Sequence, residues 1–324
     1  MDHLFTYRNA LTDYLEHAVA RKHPEQLYAP IRYILSLGGK RLRPVLTLMT
    51  ADFFSGSYQK AMHAALAIEL FHNFSLMHDD IMDNASLRRG KKTVHKKWGL
   101  NTGILSGDAM LILAYQLFEN YDAEMFRQLA GLFSKTALKV CEGQQCDVDF
   151  ETRTDVTLAD YIKMIDHKTA VLIGSAIQMG AMIAGAAKPC WENSYEFGRN
   201  LGIAFQLQDD YLDVFGNPET FGKQTGGDII SNKKTFLYLT AVANGSKEEA
   251  GTLRSLFRST PKDPSQKIET VKNIFTNSGA AHATVKEIEN YTQKANTFLG
   301  NINIAEEKKE KFCEFGEWLI KRTV

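Results

Sequence analysis

The run YQKAMHAALAIELFHNFSLMHDDIMD, Tyr58–Asp83, decides the fold. Its apolar residues recur at helical spacing and it ends on an acidic pentad, Asp79-Asp80-Ile81-Met82-Asp83. It therefore predicts one long helix with carboxylates at its C-terminal end. Residues four apart share a helix face, so Asp79 and Asp83 point the same way and can share a cation. Oxygen-only ligands select Mg²⁺ or a similarly hard ion, which keeps waters and takes its remaining ligands from substrate phosphates. Carboxylates at a helix C-terminus also oppose the macrodipole, so something positive must offset them.

Outward from this helix the same periodicity dominates. His3–Lys22 is amphipathic, Pro30 precedes a short helix ending at Gly38-Gly39, and Pro44 sits in the first turn of the next. Helical patterns continue over Gly107–Asn120, Glu124–Phe150, Leu158–Ala187 and Trp191–Phe215, with three or four more over Asn232–Arg322. A basic, Gly-containing loop, Ala85–Trp98, and a Gly-rich loop, Phe221–Asp228, interrupt them. No segment alternates with period two beside a turn signal. The expectation is a single all-α domain over residues 1–324.

Composition narrows the function. Thirty-eight basic and thirty-eight acidic residues give zero formal net charge, which demotes a nucleic-acid coat protein. The four cysteines form no CxxC pair and no zinc spacing, and the opening residues do not read as a signal peptide; reduced thiols in a cytoplasmic protein are expected. Thr169–Ala187 is uncharged over 19 residues but rich in Ala, Gly and Met, so it reads as a buried helix and not a transmembrane segment.

A second pentad, Asp209-Asp210-Tyr211-Leu212-Asp213, repeats the spacing inside an otherwise apolar helix. With 18 aspartates in the chain, a chance pair of such pentads has a probability on the order of a thousandth. Two carboxylate clusters facing one another would repel strongly unless cations lay between them, so the pair predicts a multi-Mg²⁺ site for a diphosphate. The basic residues agree. Lys40, Arg41 and Arg43 enter a helix after Gly39; Arg88, Arg89, Lys91 and Lys92 follow the first pentad; Lys168, Lys223, Lys233 and Lys234 lie near the second. His72 stands one heptad before Asp79 on the same helix face, while His78 points about 100° away from Asp79 and reads as a packing partner. His95 and His167 carry no assignment.

Taken together, GGKRLRP (38–44), HNFSLMHDDIMDNASLRRG (72–90), GDAML (107–111), Lys168-Thr169, FQLQDDYLD (205–213), FGKQTGGDI (221–229) and KKT (233–235) resemble the trans-type polyprenyl diphosphate synthases, in that family's order. The resemblance implies a large helical bundle of the isoprenoid synthase type with a central substrate cavity, a homodimer and three Mg²⁺ ions. It implies head-to-tail condensation of isopentenyl diphosphate with an allylic diphosphate (dimethylallyl, geranyl or farnesyl). By motif position, Lys40, Arg43, His72 and Arg89 look like the isopentenyl diphosphate site. Arg88, Lys168, Lys223 and Lys233 look like allylic diphosphate contacts, and Thr169 and Gln206 look like the residues beside the allylic carbon. The expected metal set is Asp79, Asp80, Asp83, Asp209, Asp210 and Asp213. One departure is visible: the family reads x-Pro-Thr after Arg88-Arg89-Gly90, where this chain has Lys91-Lys92-Thr93. A class I terpene cyclase carries Asn and Ser or Thr with Glu in its second metal motif, and a non-catalytic partner subunit loses an acidic motif or several cations; this chain keeps DDYLD and the cations. Upstream of Asp79, Phe74 lies about 7.5 Å and Phe71 about 12 Å along the axis, on one side of the helix. With a small Ser75, they resemble the floor of a short-chain pocket, which implies a C20 product with C15 as the alternative.

Overall fold

The computed structural model describes residues 2–18, 22–217 and 225–320, and most of them are helical. The described residues fall into two compact units, one formed by 2–136 with 175–195, the other by 137–174 with 196–320. No helix among the described residues is long and apolar enough to cross a membrane.

In the first unit, α1 (Asp2–Ala18), α2 (Glu25–Ser36), α3 (Leu42–Ser55) and α4 (Met62–Met82) come first. Ala64, Ala65, Leu66, Ala67 and Ile68 of α4 are all buried, so this helix is surrounded and not merely amphipathic. The helices α5 (Val94–Trp98) and α6 (Leu100–Leu117) follow, and α4 packs on α3 and α6. The sequence pattern starts this helix at Gly107, yet α6 begins at Leu100, ahead of both Gly103 and Gly107. They are contact points: a Cβ at Gly103 would stand 3.1 Å from Ile81, and one at Gly107 only 2.2 Å from Nε2 of His78. Pro30 likewise falls inside α2 instead of before it; the helix sacrifices one early hydrogen bond while Pro30, Ile31, Ile34 and Leu35 are buried. On α6, Ile104, Leu105 and Ile112 are exposed.

The expected loop after α4 contains a minimal hairpin. Two-residue strands β1 (Leu87–Arg88) and β2 (Lys91–Lys92) pair antiparallel, with Leu87 opposite Lys92 and Arg88 opposite Lys91. The two turn residues, Arg89 (φ 51) and Gly90 (φ 73), are both left-handed, as a tight two-residue hairpin turn requires. Strands this short leave no alternation to read in a sequence.

The helices α7 (Ala123–Thr152), α9 (Val171–Ile183) and α10 (Lys188–Phe215) supply residues to both units. The second unit also contains α8 (Leu158–Ile165), α11 (Gly227–Ile230), α12 (Phe236–Asn244), α13 (Lys247–Leu256), α14 (Ser265–Asn277), α15 (Ala280–Gly300) and α16 (Glu306–Ile320). Reciprocal capping boxes start α8 (Thr157 with Asp160) and α13 (Ser246 with Glu249). Tyr161, Ile165, Ile203, Leu207, Leu237, Val271 and Phe275 centre its core. Between α8 and α9 the chain widens into a π turn, Asp166–Ala170, where the sequence predicts one uninterrupted helix. Two glycines admit that turn. A Cβ on Gly143 of α7 would lie 2.2 Å from the Lys168 amide nitrogen, and one on Gly202 of α10 would lie 2.7 Å from Cα of Ala170.

Candidate active site

The first acidic segment is assembled locally. Asp79 and Asp80 lie in the last turn of α4, and Asp83 caps it, its N–H donating to the Asp79 carbonyl at 2.9 Å. The β1–β2 hairpin folds Arg88 back onto this helix end. Its Nε donates to Oδ2 of Asp80 at 2.8 Å, and its Nη2 stands 3.6 Å from Oδ2 of Asp79. The positive charge demanded by a carboxylate-terminated helix is thus supplied from nine residues downstream of Asp79. Asp80 is buried, while Asp83 is exposed.

The basic residues of the same unit join through α3 and α4. Nη1 of Arg43 lies 3.1 Å from Nε2 of His72. A guanidinium can only donate, so His72 accepts on Nε2 and is neutral. Burial, with the charges of Arg43, Arg89 and Arg88, holds its imidazole well below the ordinary range. Arg89 donates to the Gly38 carbonyl, and its guanidinium fills the space where a Cβ of Gly39 (φ 124) would be. The Gly38-Gly39 turn, which presents exposed Lys40, is therefore fitted to Arg89 and admits no side chain at residue 39. Two residues not singled out in the sequence complete this region: buried Glu69 accepts from Asn73 at 3.0 Å and lies 3.9 Å from Nη1 of Arg41. Their signal is a charged residue amid an alanine-rich buried run.

Phe71 is 1% exposed and meets Phe133 edge-on at 5.1 Å. Phe74 is half-buried, 5.6 Å from Phe71 and 4.7 Å from the ring of His78, and the Ser75 hydroxyl donates to the His72 carbonyl at 2.8 Å. His78 also stands 3.2 Å from the carbonyl of Ile104.

The second acidic segment is assembled from distant parts of the chain. Asp147, on α7, accepts from Nζ of Lys168 at 2.5 Å and lies 3.9 Å from Nζ of Lys233. It brings two of the predicted diphosphate contacts to one carboxylate, although no spacing in the sequence marks it. Burial pushes Asp147 up, but the charges of Lys168 and Lys233 and the Lys168 hydrogen bond outweigh this and hold it below its usual range. Asp210 is 8% exposed; its Oδ2 accepts from the Tyr161 hydroxyl and its Oδ1 from Nε2 of Gln206 at 2.9 Å. Oε1 of Gln206 accepts from the Thr169 hydroxyl at 3.1 Å. Asp213 accepts from the Asp228 amide at 2.9 Å, and so anchors α11. Lys234 donates to the Phe150 and Glu151 carbonyls at the C-terminal end of α7, the latter at 3.1 Å. Lys223 lies outside the described residues.

Whether these carboxylates suit Mg²⁺ can be judged from their surroundings. The donors are all oxygen, as a hard cation requires. Oδ1 of Asp80 is buried without a hydrogen-bond partner. In the second segment, burial and the nearby Asp228 charge raise Asp210 well above the carboxylate range. Burial and the Asp213 charge push Asp228 up to about 6. Crowded carboxylates of this kind are what a divalent cation relieves, so the residues fit the ion, although no three His, Cys, Asp or Glu side chains among the described residues form a cage alone. Ligands completed by substrate oxygens are the usual pattern for Mg²⁺.

An all-helical chain carrying two DDxxD segments, each with nearby fixed cations, has the makings of a diphosphate-handling helical enzyme. Residues 24–275 match the polyprenyl synthetase family, and the chain belongs to it. It is 41% identical over 226 residues to a geranylgeranyl diphosphate synthase of Methanosarcina mazei, covering 69% of this chain and 70% of that one. It is 35% identical over 313 residues to a geranylgeranyl pyrophosphate synthase of Geoglobus acetivorans, covering 95% and 94%. A crystal structure of a geranylgeranyl pyrophosphate synthase superposes with a TM-score of 0.95 at 53% identity, over 100% of both chains.

Proposed function

We propose that this chain is a short-chain trans-prenyltransferase that condenses isopentenyl diphosphate head-to-tail with an allylic diphosphate, with C20 as its main product. The observation that carries the reading is the gathering of Lys168 and Lys233 on Asp147 in the unit that bears the second pentad. Cations fixed in this way are ready to receive a leaving diphosphate. Arg88, Lys168, Lys223 and Lys233 bind the allylic diphosphate and stabilise the charge that develops on it, usually the largest catalytic term. Bound Mg²⁺, about three ions held by Asp79, Asp80, Asp83, Asp209, Asp210 and Asp213, supplies further charge neutralisation. Thr169 and Gln206 turn their dipoles to the allylic carbon. Lys40, Arg43, His72 and Arg89 hold isopentenyl diphosphate so that its double bond is oriented for attack, and proximity supplies much of the rate. Neutral His72 serves as a hydrogen-bonding group beside Arg43 and adds no charge.

Half-buried Phe74, 5.6 Å from the ring of Phe71, is the ring on which the growing chain ends. The exposed Ile104, Leu105 and Ile112 of α6 are covered by a second copy of the chain, making a homodimer. The four cysteines are free thiols, which fits a reducing, cytoplasmic setting. The test uses the purified chain alone with Mg²⁺, isopentenyl diphosphate and geranyl or farnesyl diphosphate, its products dephosphorylated and sized by chromatography. A C20 alcohol is expected; no prenyl product overturns the reading, and a C15 product corrects only the floor. Sedimentation of wild type against a Leu105→Glu, Ile112→Glu double variant tests the dimer.

A further inference from the structure

Tyr161 is 1% exposed, sits one turn into α8, and packs among Ile165, Ile203 and Leu207, 6.3 Å from the ring of Phe236. A phenol buried this deeply needs a partner for its hydroxyl, and here it donates to Oδ2 of Asp210, 49 residues away. The other oxygen of Asp210 accepts from Nε2 of Gln206. An amide that presents its N–H to one neighbour presents its oxygen to the other side, and Oε1 of Gln206 accepts from the Thr169 hydroxyl. Three bonds therefore run in sequence from the core of the second unit to the π turn. Thr169 gives its proton to this chain of bonds, where a helical threonine would ordinarily bond back to its own backbone. A hydroxyl whose proton is committed in this way leaves its lone pairs to face developing positive charge.

We propose that Tyr161 is a positioning residue for the reaction: through Asp210 it fixes the orientation of the Gln206 amide, and through that amide the direction of the Thr169 dipole. The inference rests on the reading above, in which Thr169 and Gln206 flank the allylic carbon. Without the Tyr161 hydroxyl, Asp210 loses one of its two donors and holds the Gln206 amide less rigidly. The Gln206 amide then loses its fixed acceptor, and Thr169 can turn its proton elsewhere. Arg88, Lys168 and Lys233, proposed to hold the allylic diphosphate, take no part in this chain of bonds. The loss falls on the step in which positive charge develops.

The experiment compares full-length wild type and Tyr161→Phe in steady state with Mg²⁺, isopentenyl diphosphate and geranyl diphosphate. The expected result is a kcat lower by about 10- to 100-fold, with both KM values within about threefold of wild type. A residue that merely supports the fold would reduce the amount of folded enzyme without this split. The second measurement is a double-mutant cycle with Thr169→Val: once the positioned hydroxyl is gone, adding Tyr161→Phe costs less than about threefold more. Should Tyr161→Phe melt below the assay temperature, both proteins are compared at a temperature where circular dichroism shows the variant folded, and the same loss of kcat at held KM is expected. Wild-type kcat in the tested variant, or fully additive losses in the cycle, overturns the inference while leaving the proposed reaction intact. A wild-type chain that makes no prenyl product overturns that reaction, and the inference with it.

Discussion

Asp80 and Asp210 hold the same place in their pentads and both are buried, but their partners differ in kind. Asp80 meets a guanidinium from its own segment, Arg88, at 2.8 Å. Asp210 meets two neutral donors, Tyr161 from α8 and Gln206 from α10, while the lysines Lys168 and Lys233 of the same unit are gathered on another carboxylate, Asp147. One sequence pattern has thus been built in two ways: a short-range ion pair in the first unit and a long-range hydrogen-bonded network in the second. Identical spacing, in short, does not dictate identical electrostatics; the surroundings do.

The harshest way to break this comparison is to remove the outer carboxylates. Asp79→Ala and Asp209→Ala are each expected to lower turnover by about a thousandfold or more, because each removes a proposed ligand of the Mg²⁺ that would balance the site's charge. Circular dichroism should show both folded, and a coupled diphosphate-release assay reads the rate. Near-normal release in either variant removes that pentad from the metal site.

The substrate side comes next. Lys40→Ala and Arg43→Ala are expected to raise KM for isopentenyl diphosphate by about 10- to 150-fold and leave KM for the allylic diphosphate nearly unchanged, since each lost charge-assisted contact is worth about 1.5–3 kcal/mol. Lys168→Ala should reverse the preference. Equal effects on both substrates from all three would show that the basic residues are not divided between two sites.

Stability gives a sharper contrast. Arg88→Ala leaves Asp80 buried opposite nothing and is expected to cost about 2–4 kcal/mol in urea unfolding, most of it recovered by adding Asp80→Asn. Tyr161→Phe removes one neutral hydrogen bond and is expected to cost only about 1–2 kcal/mol. A larger loss from the tyrosine would invert the ranking of ion pair over network.

The smallest expected effect is in pH. His72 binds its proton well below the ordinary imidazole range, so the unfolded chain takes up a proton near pH 6.5 that the folded chain refuses. Its contribution to stability is complete above that pH and is lost as pH falls toward the depressed value. The raised carboxyls of the second unit act with the opposite sign, since Asp228, pushed up to about 6, favours the folded state as pH falls. Urea unfolding of wild type and His72→Gln at pH 7.5 and 5.5 separates the two. The wild type should lose up to about 1.4 kcal/mol more per pH unit than the variant below pH 6.5. Parallel pH profiles would mean that His72 is not held neutral.

The contrast between the segments also explains what the sequence revealed. Arg88 stands out in the sequence as a cation close behind the first pentad, although its pairing with Asp80, eight residues back, is made by the hairpin. Asp147 and Tyr161 do not stand out, since each lies many residues from its partner and is an ordinary member of a helical pattern until tertiary structure brings them together. The long helix α4 was predicted nearly to its ends. The π turn was read as uninterrupted helix because its widening depends on Gly143 and Gly202, two helical glycines whose meaning is set by the backbone they meet. For the same reason the sequence pattern starts a helix at Gly107, where the structure has a seat for His78.

Those two glycines bear on how such an enzyme can change over generations. The turn that carries Lys168 and Thr169 is held by neighbouring backbones that leave no room for even a methyl group at residues 143 and 202. A drifting lineage cannot nudge the reactive pair by enlarging what surrounds it; most substitutions there end the experiment instead of redirecting it. The rings at Phe71 and Phe74 lie on a different helix, where a change of side-chain size alters volume without disturbing that turn. On the proposed reading, product size and chemical competence are thereby inherited on separate parts of the chain, and the first can diversify while the second stays fixed.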